Sequence, residues 1–290
     1  MGEIRIVSTK AGPVEIVQVP GNKPPALFFP GGHASASSDC GWELYTASGH
    51  EVISFSRPGY GATRVGALTA AQFVPLVRDV CDQLGIGEIA VAVGVSFGGL
   101  QAVHVATDPQ LAAQRLALHS CAPSALPYPD TRAETIAGPL VFSPLLEGLV
   151  WSTVRRLVRS DSGLRRMMAR LSRLPADQWW GELTSADKAE ARTLFQGMRS
   201  GHGFINDLRQ AKPTESATRR DAISRVECPT LITASRNDAG VSFAHAEEFA
   251  GLIPQATLAE IDAPTHLFWI GRGKRQAASV VKSFLARGSN

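Results

Sequence analysis

Short apolar runs alternate with stretches of helical periodicity along most of the chain. Residues 26–29 and 88–93 form compact, mostly apolar runs of the kind expected for strands buried on both faces of a sheet. Residues 69–84 instead carry their apolar side chains at helical spacing. Together with further predicted strands at 51–55 and 115–119, this alternation of strand and helix predicts an α/β fold with a mostly parallel, doubly wound sheet.

The alternation stops near the middle of the chain, where a long stretch keeps helical periodicity without a convincing strand. It resumes with predicted strands at 230–234 and 257–261. We therefore predict one α/β core domain formed by residues 1–123 and 223–290, with residues 124–222 inserted as a helical cap.

Composition and charge exclude several classes of protein. The net charge of +3 comes without a dense, aromatic-interleaved basic stripe, so no nucleic-acid partner is expected. Residues 1–12 lack the apolar core of a secretory signal, and the most apolar later segment, 138–154, is too short and too interrupted by Pro139, Pro144 and Glu147 to span a membrane. Four scattered cysteines without a C-x-x-C pair predict reduced thiols and no structural metal site. We expect a cytoplasmic protein.

Gly94-Val95-Ser96-Phe97-Gly98 is a G-x-S-x-G sequence between a predicted strand and a predicted helix. A strand that turns directly into a helix holds its turn residue in a sparsely allowed conformation, and the flanking glycines remove side chains that would collide there. The turn would present Ser96 above the sheet edge and place the Phe97 amide at a helix N-terminus, where free N–H groups stabilise negative charge. The same residues also fit a tight turn without chemistry, so the motif needs support from the rest of the chain.

The chain resembles the α/β-hydrolase fold over nearly its whole length, specifically the capped serine hydrolases of the esterase and lipase type. The resemblance lies in the order of elements, in the insertion and in the strand-to-helix turn at Ser96, which we call the elbow. This resemblance implies a catalytic triad in the chain order serine, acid, histidine. Asp238 is the only carboxylate of the loop after the first predicted strand that follows the insertion, and His266 lies in the loop after the next strand. The resemblance therefore assigns Ser96 as the nucleophile, His266 as its base and Asp238, rather than Asp262, as the acid.

Residues 30–33, with the sequence PGGH, follow a predicted central strand, where the family places its oxyanion loop. The resemblance implies that the backbone N–H groups of Gly32 and Phe97 form the oxyanion hole. Two positions depart from the family pattern, because many capped hydrolases have His-Gly before the donor and histidine is frequent where this elbow has Val95. Residues 56–61 resemble a glycine turn that the family places near this loop, and we interpret them as architectural.

The predicted cap carries two groups of side chains with competing interpretations. Its arginines between 155 and 173 could attract an anionic substrate or a membrane surface, but a charge run on an amphipathic helix is usually its solvated face, and we favour this interpretation. Trp151, Trp179 and Trp180 could line an acyl pocket, although helix packing explains them almost as well.

These residues together predict a serine hydrolase that cleaves an ester or related acyl bond through an acyl-enzyme intermediate, without a metal ion or organic cofactor. A serine in the elbow, rather than an aspartate, argues against the epoxide hydrolase and haloalkane dehalogenase branches. Two alternatives stay open: a cofactor-free perhydrolase or haloperoxidase-like enzyme, in which peroxide replaces water, and a ligand-binding sensor with slow turnover. The expected partner is a small-molecule substrate with an apolar acyl portion.

Overall fold

The computed structural model of the protein describes residues 2–129 and 147–286. Residues 130–146 of the predicted cap lie outside these ranges. Within the described ranges, no helix is both long enough and apolar enough to cross a lipid bilayer.

An eight-stranded sheet built from the described residues forms the centre of the protein, in the order β1-β2-β4-β3-β5-β6-β7-β8. Its strands are β1 (Glu3–Thr9), β2 (Gly12–Val19), β3 (Lys23–Phe29), β4 (His50–Phe55), β5 (Val91–Val95), β6 (Leu116–His119), β7 (Thr230–Ala234) and β8 (Ala256–Glu260). The pairings of β2 with β1 and with β4 are antiparallel, and the other pairings are parallel. The predicted mostly parallel, doubly wound sheet is confirmed.

Helices flank this sheet on both faces. In the described ranges they are α1 (Glu43–Thr46), α2 (Ala70–Gln83), α3 (Gly99–Ala106), α4 (Glu147–Leu157), α5 (Asp161–Ala169), α6 (Ser185–Gly197), α7 (Gly203–Gln210), α8 (Ser216–Ser224), α9 (Phe243–Leu252) and α10 (Gly273–Ala286). Helices α4 to α8 lie between β6 and β7 in the chain, and the described part of this insertion contains no strand.

Two apolar clusters lie on opposite faces of the sheet, because successive residues of a strand point to opposite sides. Leu27 belongs to the cluster that includes α2, α3, α8 and α9. Phe28 belongs to the cluster that includes α1 and α10 together with Leu164 and Met168 of the insertion. Burial of each such side chain stabilises the fold by about 1.5–3 kcal/mol relative to exposure. The insertion therefore packs as part of the core rather than as a separate globule.

Arg219 of α8 ties together the two points where the insertion leaves and rejoins the core. Its side chain is buried, and its guanidinium donates hydrogen bonds to five carbonyl groups. These belong to Ser124, Ala125, Leu126, Gln210 and Lys212. Burial lowers the pKa of Arg219, and the nearby Glu215 opposes this shift. The five N–H donors of a guanidinium form a fixed fork, which no other side chain can reproduce here.

Glu190 of α6 titrates near neutral pH at the junction between the insertion and the core. Burial raises its pKa to about 7, an effect opposed by Lys274 and reinforced by Asp39, Asp187 and Glu43. The folded protein therefore binds this proton more tightly than the unfolded chain does. Glu190 thus stabilises the fold at pH values below its ordinary pKa, and this contribution is lost as the pH rises through about 7.

Glu190→Gln should remove this pH dependence. Allowing for solvent screening, the melting temperature of the variant relative to wild type should rise by about 1–3 °C between about pH 5 and pH 8. The measurement is a pair of thermal melts at the two pH values, in buffers of equal ionic strength. A difference between variant and wild type that stays constant with pH would contradict the raised pKa.

Candidate active site

Ser96 lies at the carboxyl end of β5 in a backbone conformation that few side chains adopt. Its φ is 53°, in the left-handed region, and a single 3₁₀ turn separates β5 from α3. A Cβ atom on Gly94 would lie 2.5 Å from the Cα of Gly99, and one on Gly98 would lie 1.9 Å from the carbonyl oxygen of Phe29. Close backbone contacts therefore require both glycines of the G-x-S-x-G motif.

The loop of residues 30–33, which we call the PGGH loop, packs directly on this elbow. A Cβ atom on Gly31 would lie 3.0 Å from the Cβ and 3.5 Å from the Oγ of Ser96. A Cβ atom on Gly32 would lie 3.0 Å from the ring of Phe97. The structure thus brings Gly32 and Phe97, the two residues expected to donate to an oxyanion, into contact beside Ser96.

The buried Asp238 and the partly exposed His266 form a hydrogen-bonded pair in the loops that follow β7 and β8. The Nδ1 atom of His266 lies 2.7 Å from Oδ2 of Asp238, whose side chain is 2% exposed. The other carboxylate oxygen, Oδ1, accepts hydrogen bonds from the backbone N–H groups of Gly240 at 2.7 Å and Val241 at 3.0 Å. Because a carboxylate only accepts, Nδ1 carries the proton and Nε2 of the neutral ring can act as a base.

The charge of Asp238 controls the protonation of His266. Burial disfavours the imidazolium, but the charge of Asp238 and its hydrogen bond outweigh burial and raise the pKa of His266. Asp262 lies elsewhere: its side chain is 67% exposed and its Oδ2 lies 3.1 Å from Nε of Arg272. Asp238 is therefore the carboxylate in contact with the imidazole.

Tyr128 connects the elbow with the loop that carries Asp238. Its ring packs against Phe97 with the centroids 5.0 Å apart, and its hydroxyl donates to the carbonyl oxygen of Gly240 at 2.7 Å.

Among the described residues, no hydrogen bond joins the hydroxyl of Ser96 to His266. A nucleophile and its base often stand further apart before a substrate binds.

Residues 171–173, between α5 and α6, hold the acid and histidine loops together. The carbonyl oxygen of Leu171 accepts from the backbone N–H groups of His266 at 2.9 Å and Ala239 at 3.3 Å. The Nε atom of Arg173 donates to the carbonyl oxygen of Asp238 at 2.8 Å. Arg173 is solvent-exposed, as the interpretation of these arginines as a solvated face expects, and it also makes this contact with the acid loop. The contacts at Leu171 are between main-chain atoms, so no residue type in the sequence could have indicated them.

The insertion also contacts His33 at the end of the PGGH loop. Nδ1 of His33 lies 2.9 Å from Oγ of Ser200, and this hydroxyl also lies 2.9 Å from Nε1 of Trp151. Because an indole N–H only donates, the Ser200 hydroxyl accepts from Trp151 and joins it to His33. Burial, assisted by the charge of Arg57, lowers the pKa of His33 to about 3, so the ring is neutral near pH 7.

The three tryptophans of the insertion lie in two different places. Trp151 packs against His33, with the ring centroids 5.0 Å apart, and so contacts the PGGH loop. Trp179 is fully buried, with its ring 6.2 Å from that of Trp180. The ammonium group of Lys188 lies 4.8 Å from the centre of the Trp180 ring. Trp151 is therefore adjacent to the candidate site, whereas Trp179 and Trp180 pack within the insertion.

The described residues offer no arrangement suited to metal or thiol chemistry. No group of three or more histidine, cysteine, aspartate or glutamate side chains within residues 2–129 and 147–286 could hold a metal ion. All four cysteines are free thiols. Cys121 lies behind the elbow, where its Sγ donates to the carbonyl oxygen of Gly94 at 3.2 Å, and burial raises the pKa of this thiol. Its position indicates packing rather than reactivity.

Comparison with known proteins identifies the class to which this fold and site belong. The alpha/beta hydrolase family is matched over residues 26–279, and the chain belongs to this family. It is 29% identical over 272 residues to the uncharacterized hydrolase YcgS of Bacillus subtilis (strain 168), covering 92% of this chain and 93% of that protein.

Solved structures share the fold over almost the full length. An alpha/beta hydrolase fold protein from Nakamurella multipartita is similar with a TM-score of 0.72 and 21% identity, covering 98% of this chain and 99% of that one. The enol-lactonase from Burkholderia xenovorans LB400 is similar with a TM-score of 0.68 and 18% identity, covering 98% of this chain and 100% of that one. The family match and the similarity to the hydrolase YcgS together show that the protein is a hydrolase of the alpha/beta fold.

Proposed function

We propose that this protein is a serine hydrolase that cleaves an ester or a related acyl bond, with Ser96, His266 and Asp238 as its catalytic triad. The observation that carries the proposal is the hydrogen-bonded pair of Asp238 and His266, which leaves Nε2 of the imidazole as a base at the same edge of the sheet as Ser96. A serine hydroxyl becomes a useful nucleophile only when such a base accepts its proton.

In the proposed reaction, Oγ of Ser96 attacks the carbonyl carbon while Nε2 of His266 accepts the hydroxyl proton. Asp238 holds the imidazole in the required tautomer and stabilises the imidazolium that forms. The tetrahedral intermediate collapses, and the imidazolium donates its proton to the departing alcohol oxygen. Water deprotonated by His266 then attacks the acyl-enzyme and releases the carboxylic acid and Ser96.

The backbone N–H groups of Gly32 and Phe97 are proposed to stabilise the oxyanion of the tetrahedral intermediate. Phe97 is the first residue after the nucleophile, and Gly32 lies against its ring. Donors of this kind are already oriented before the reaction, so they lower the barrier without reorganising. Both donors are main-chain N–H groups, so the departure of this loop from the family's His-Gly pattern does not remove a donor.

We propose that residues 124–222 act as a cap that selects a small-molecule substrate with an apolar acyl portion. Two contacts of the described residues support this role: Trp151 packs on His33, and the ring of Phe204 would lie 3.4 Å from a Cβ atom on Gly32. Apolar and aromatic side chains with a few polar groups are typical of small-molecule sites. The enol-lactonase of the same fold acts, by its name, on an enol-lactone; a cyclic ester would suit the same chemistry.

The proposal predicts burst kinetics with a generic ester. Rapid mixing with p-nitrophenyl acetate should release about one p-nitrophenolate per protein molecule in a fast phase, because acylation of Ser96 precedes slower hydrolysis of the acyl-enzyme. Intact-mass analysis of quenched samples should show one acetyl group. Ser96→Ala should abolish both signals, whereas Ser37→Ala, a change in an exposed loop, should leave them unchanged.

The same assay separates the proposal from its alternatives. Peracid formation in added hydrogen peroxide that outpaces hydrolysis would favour a perhydrolase. Acetylation of Ser96 without a second, steady phase would favour a slow-turnover sensor. A folded protein that shows neither a burst nor an acetyl adduct would contradict the serine-hydrolase proposal.

A further inference from the structure

A buried ion pair joins the core to the insertion next to the candidate site. Arg57, in the loop after β4, pairs with Asp207 of α7, and both residues are almost completely buried. Each of the two terminal nitrogens of Arg57 donates to a different oxygen of the carboxylate, with a distance of 2.9 Å from Nη2 to Oδ2. The hydroxyl of Tyr60 donates to the same Oδ2 at 2.6 Å. Such a bidentate ion pair fixes the plane of the guanidinium.

Two further N–H groups of Arg57 bind the PGGH loop. Its Nε atom donates to the carbonyl oxygen of Pro30 at 2.9 Å, and Nη2 also donates to that of Gly31 at 3.0 Å. The carbonyl of Gly31 and the N–H of Gly32 belong to one planar, trans peptide group and point in opposite directions. By holding that carbonyl, Arg57 also sets the direction of the N–H group of Gly32.

This peptide group needs an external restraint. Neither Gly31 nor Gly32 has a Cβ atom, so rotation of the peptide between them meets little steric resistance. Helix α7 also packs on the PGGH loop through Phe204, whose ring centroid lies 4.0 Å from that of His33. Docking of α7 on the core therefore restrains the loop through both Arg57 and His33.

We propose that Arg57 is a positioning residue that orients the N–H of Gly32 as an oxyanion donor, and that Asp207 of the insertion holds Arg57 in place for this task. This inference rests on the proposed function. It goes beyond substrate selection, because it makes the insertion a determinant of the rate of the chemical step. Residues 56–61, interpreted from the sequence as architectural, then contribute to catalysis through Arg57.

The test compares Asp207→Asn and Arg57→Lys with wild type in the hydrolysis of p-nitrophenyl acetate. An amide keeps the shape of Asp207 but not its charge, and an ammonium group cannot reproduce the planar fork of Arg57. Loss of one oxyanion donor costs about 10²–10³ in rate, so a misoriented donor should lower kcat about 10- to 100-fold. KM should stay within about three-fold, because the effect falls on the transition state.

Inhibition by a trifluoromethyl ketone distinguishes a positioning role of Arg57 and Asp207 from a purely structural one. Its adduct with Ser96 carries an oxyanion, so its inhibition constant should weaken by the same factor as kcat in each variant. Because both residues act through one contact, the double variant should be about as slow as the slower single variant. Glu182→Gln is the matched control, since it breaks the ion pair of the insertion with Arg272 on the core. Its kinetic constants should be unchanged.

Several outcomes would overturn the inference. An unchanged kcat in folded Asp207→Asn and Arg57→Lys variants would overturn it. A rise in KM without a change in kcat would also overturn it and would assign α7 to the substrate pocket. If both variants lose their circular dichroism signal, Tyr60→Phe decides, because it leaves the ion pair in place and removes only a hydroxyl that bonds to Asp207 and to the backbone of His33. It should lower kcat about two- to five-fold without changing KM, and an unchanged kcat contradicts the inference. A wild-type protein that neither turns over the ester nor binds the ketone would instead refute the proposed function.

Discussion

Asp238→Asn should lower kcat for p-nitrophenyl acetate by about 10⁴-fold. Two backbone N–H groups, of Gly240 and Val241, already donate to Oδ1 of Asp238. In the variant the amide oxygen would take that place, and the NH₂ group would face Nδ1 of His266. The imidazole would then carry its proton on Nε2, where it could no longer accept the proton of Ser96.

Asp262→Asn is the matched control for this prediction. It removes a carboxylate from the histidine loop, but one that is exposed and paired with Arg272. Its kcat should stay within about two-fold of wild type, as expected for an exposed ion pair. Collapse of activity in this variant, with wild-type rates in Asp238→Asn, would reverse the assignment of the acid.

Asp238 should also be visible in the pH profile of the wild-type protein. Because the carboxylate raises the pKa of His266, the general base becomes neutral only above its ordinary titration range. The acid limb of kcat/KM should therefore fall at an apparent pKa above the usual histidine value. In Asp238→Asn burial acts alone, and the limb should move to lower pH.

Arg219→Ala should cause the largest loss of stability among single changes in the insertion. The change removes the arginine donors of five carbonyl groups, of which those of Ser124 and Ala125 belong to buried residues. Each buried group that is left unmet costs about 1–3 kcal/mol before the structure relaxes. After relaxation we expect the free energy of unfolding to fall by about 3–5 kcal/mol and the melting temperature by more than about 5 °C. Differential scanning calorimetry measures both quantities.

Arg220→Ala provides the comparison for Arg219, because it lies next in the chain and makes an exposed ion pair with Glu248. Its melting temperature should change by less than about 2 °C. Arg219→Lys should recover only part of the loss, since three donors on one nitrogen cannot reach carbonyls on both sides of the insertion. An unchanged melting temperature in Arg219→Ala would show that these hydrogen bonds are not needed to hold the insertion.

The sheet could be predicted because its signal is local and repeated. Residues 26–29 are apolar without interruption, as burial on both faces demands, and residues 230–234 combine apolar side chains with two threonines, a residue type that favours strands. The structure places these two runs in β3 and β7. The glycines around Ser96 are likewise a local signature, because each prevents a specific backbone collision. Residue type alone therefore carried the information about these elements.

The contacts between the insertion and the site could not be predicted in the same way. Asp207 pairs with Arg57, which lies 150 positions away in the chain. The sequence around a charged helix residue does not indicate which distant residue it pairs with. Leu171 binds the loops of Asp238 and His266 through its carbonyl oxygen, which every residue type possesses. Such long-range contacts emerge only when the insertion is folded onto the core.

Labelling with a fluorophosphonate tests the central claim, that Ser96 is an activated nucleophile, without knowledge of the substrate. Intact-mass analysis of the wild-type protein should show one adduct, and peptide mapping should place it on Ser96. The adduct should be absent in Ser96→Ala and strongly reduced in His266→Ala, because the imidazole must accept the hydroxyl proton. Folded wild-type protein that takes up no probe, or carries it on a residue other than Ser96, would contradict the account.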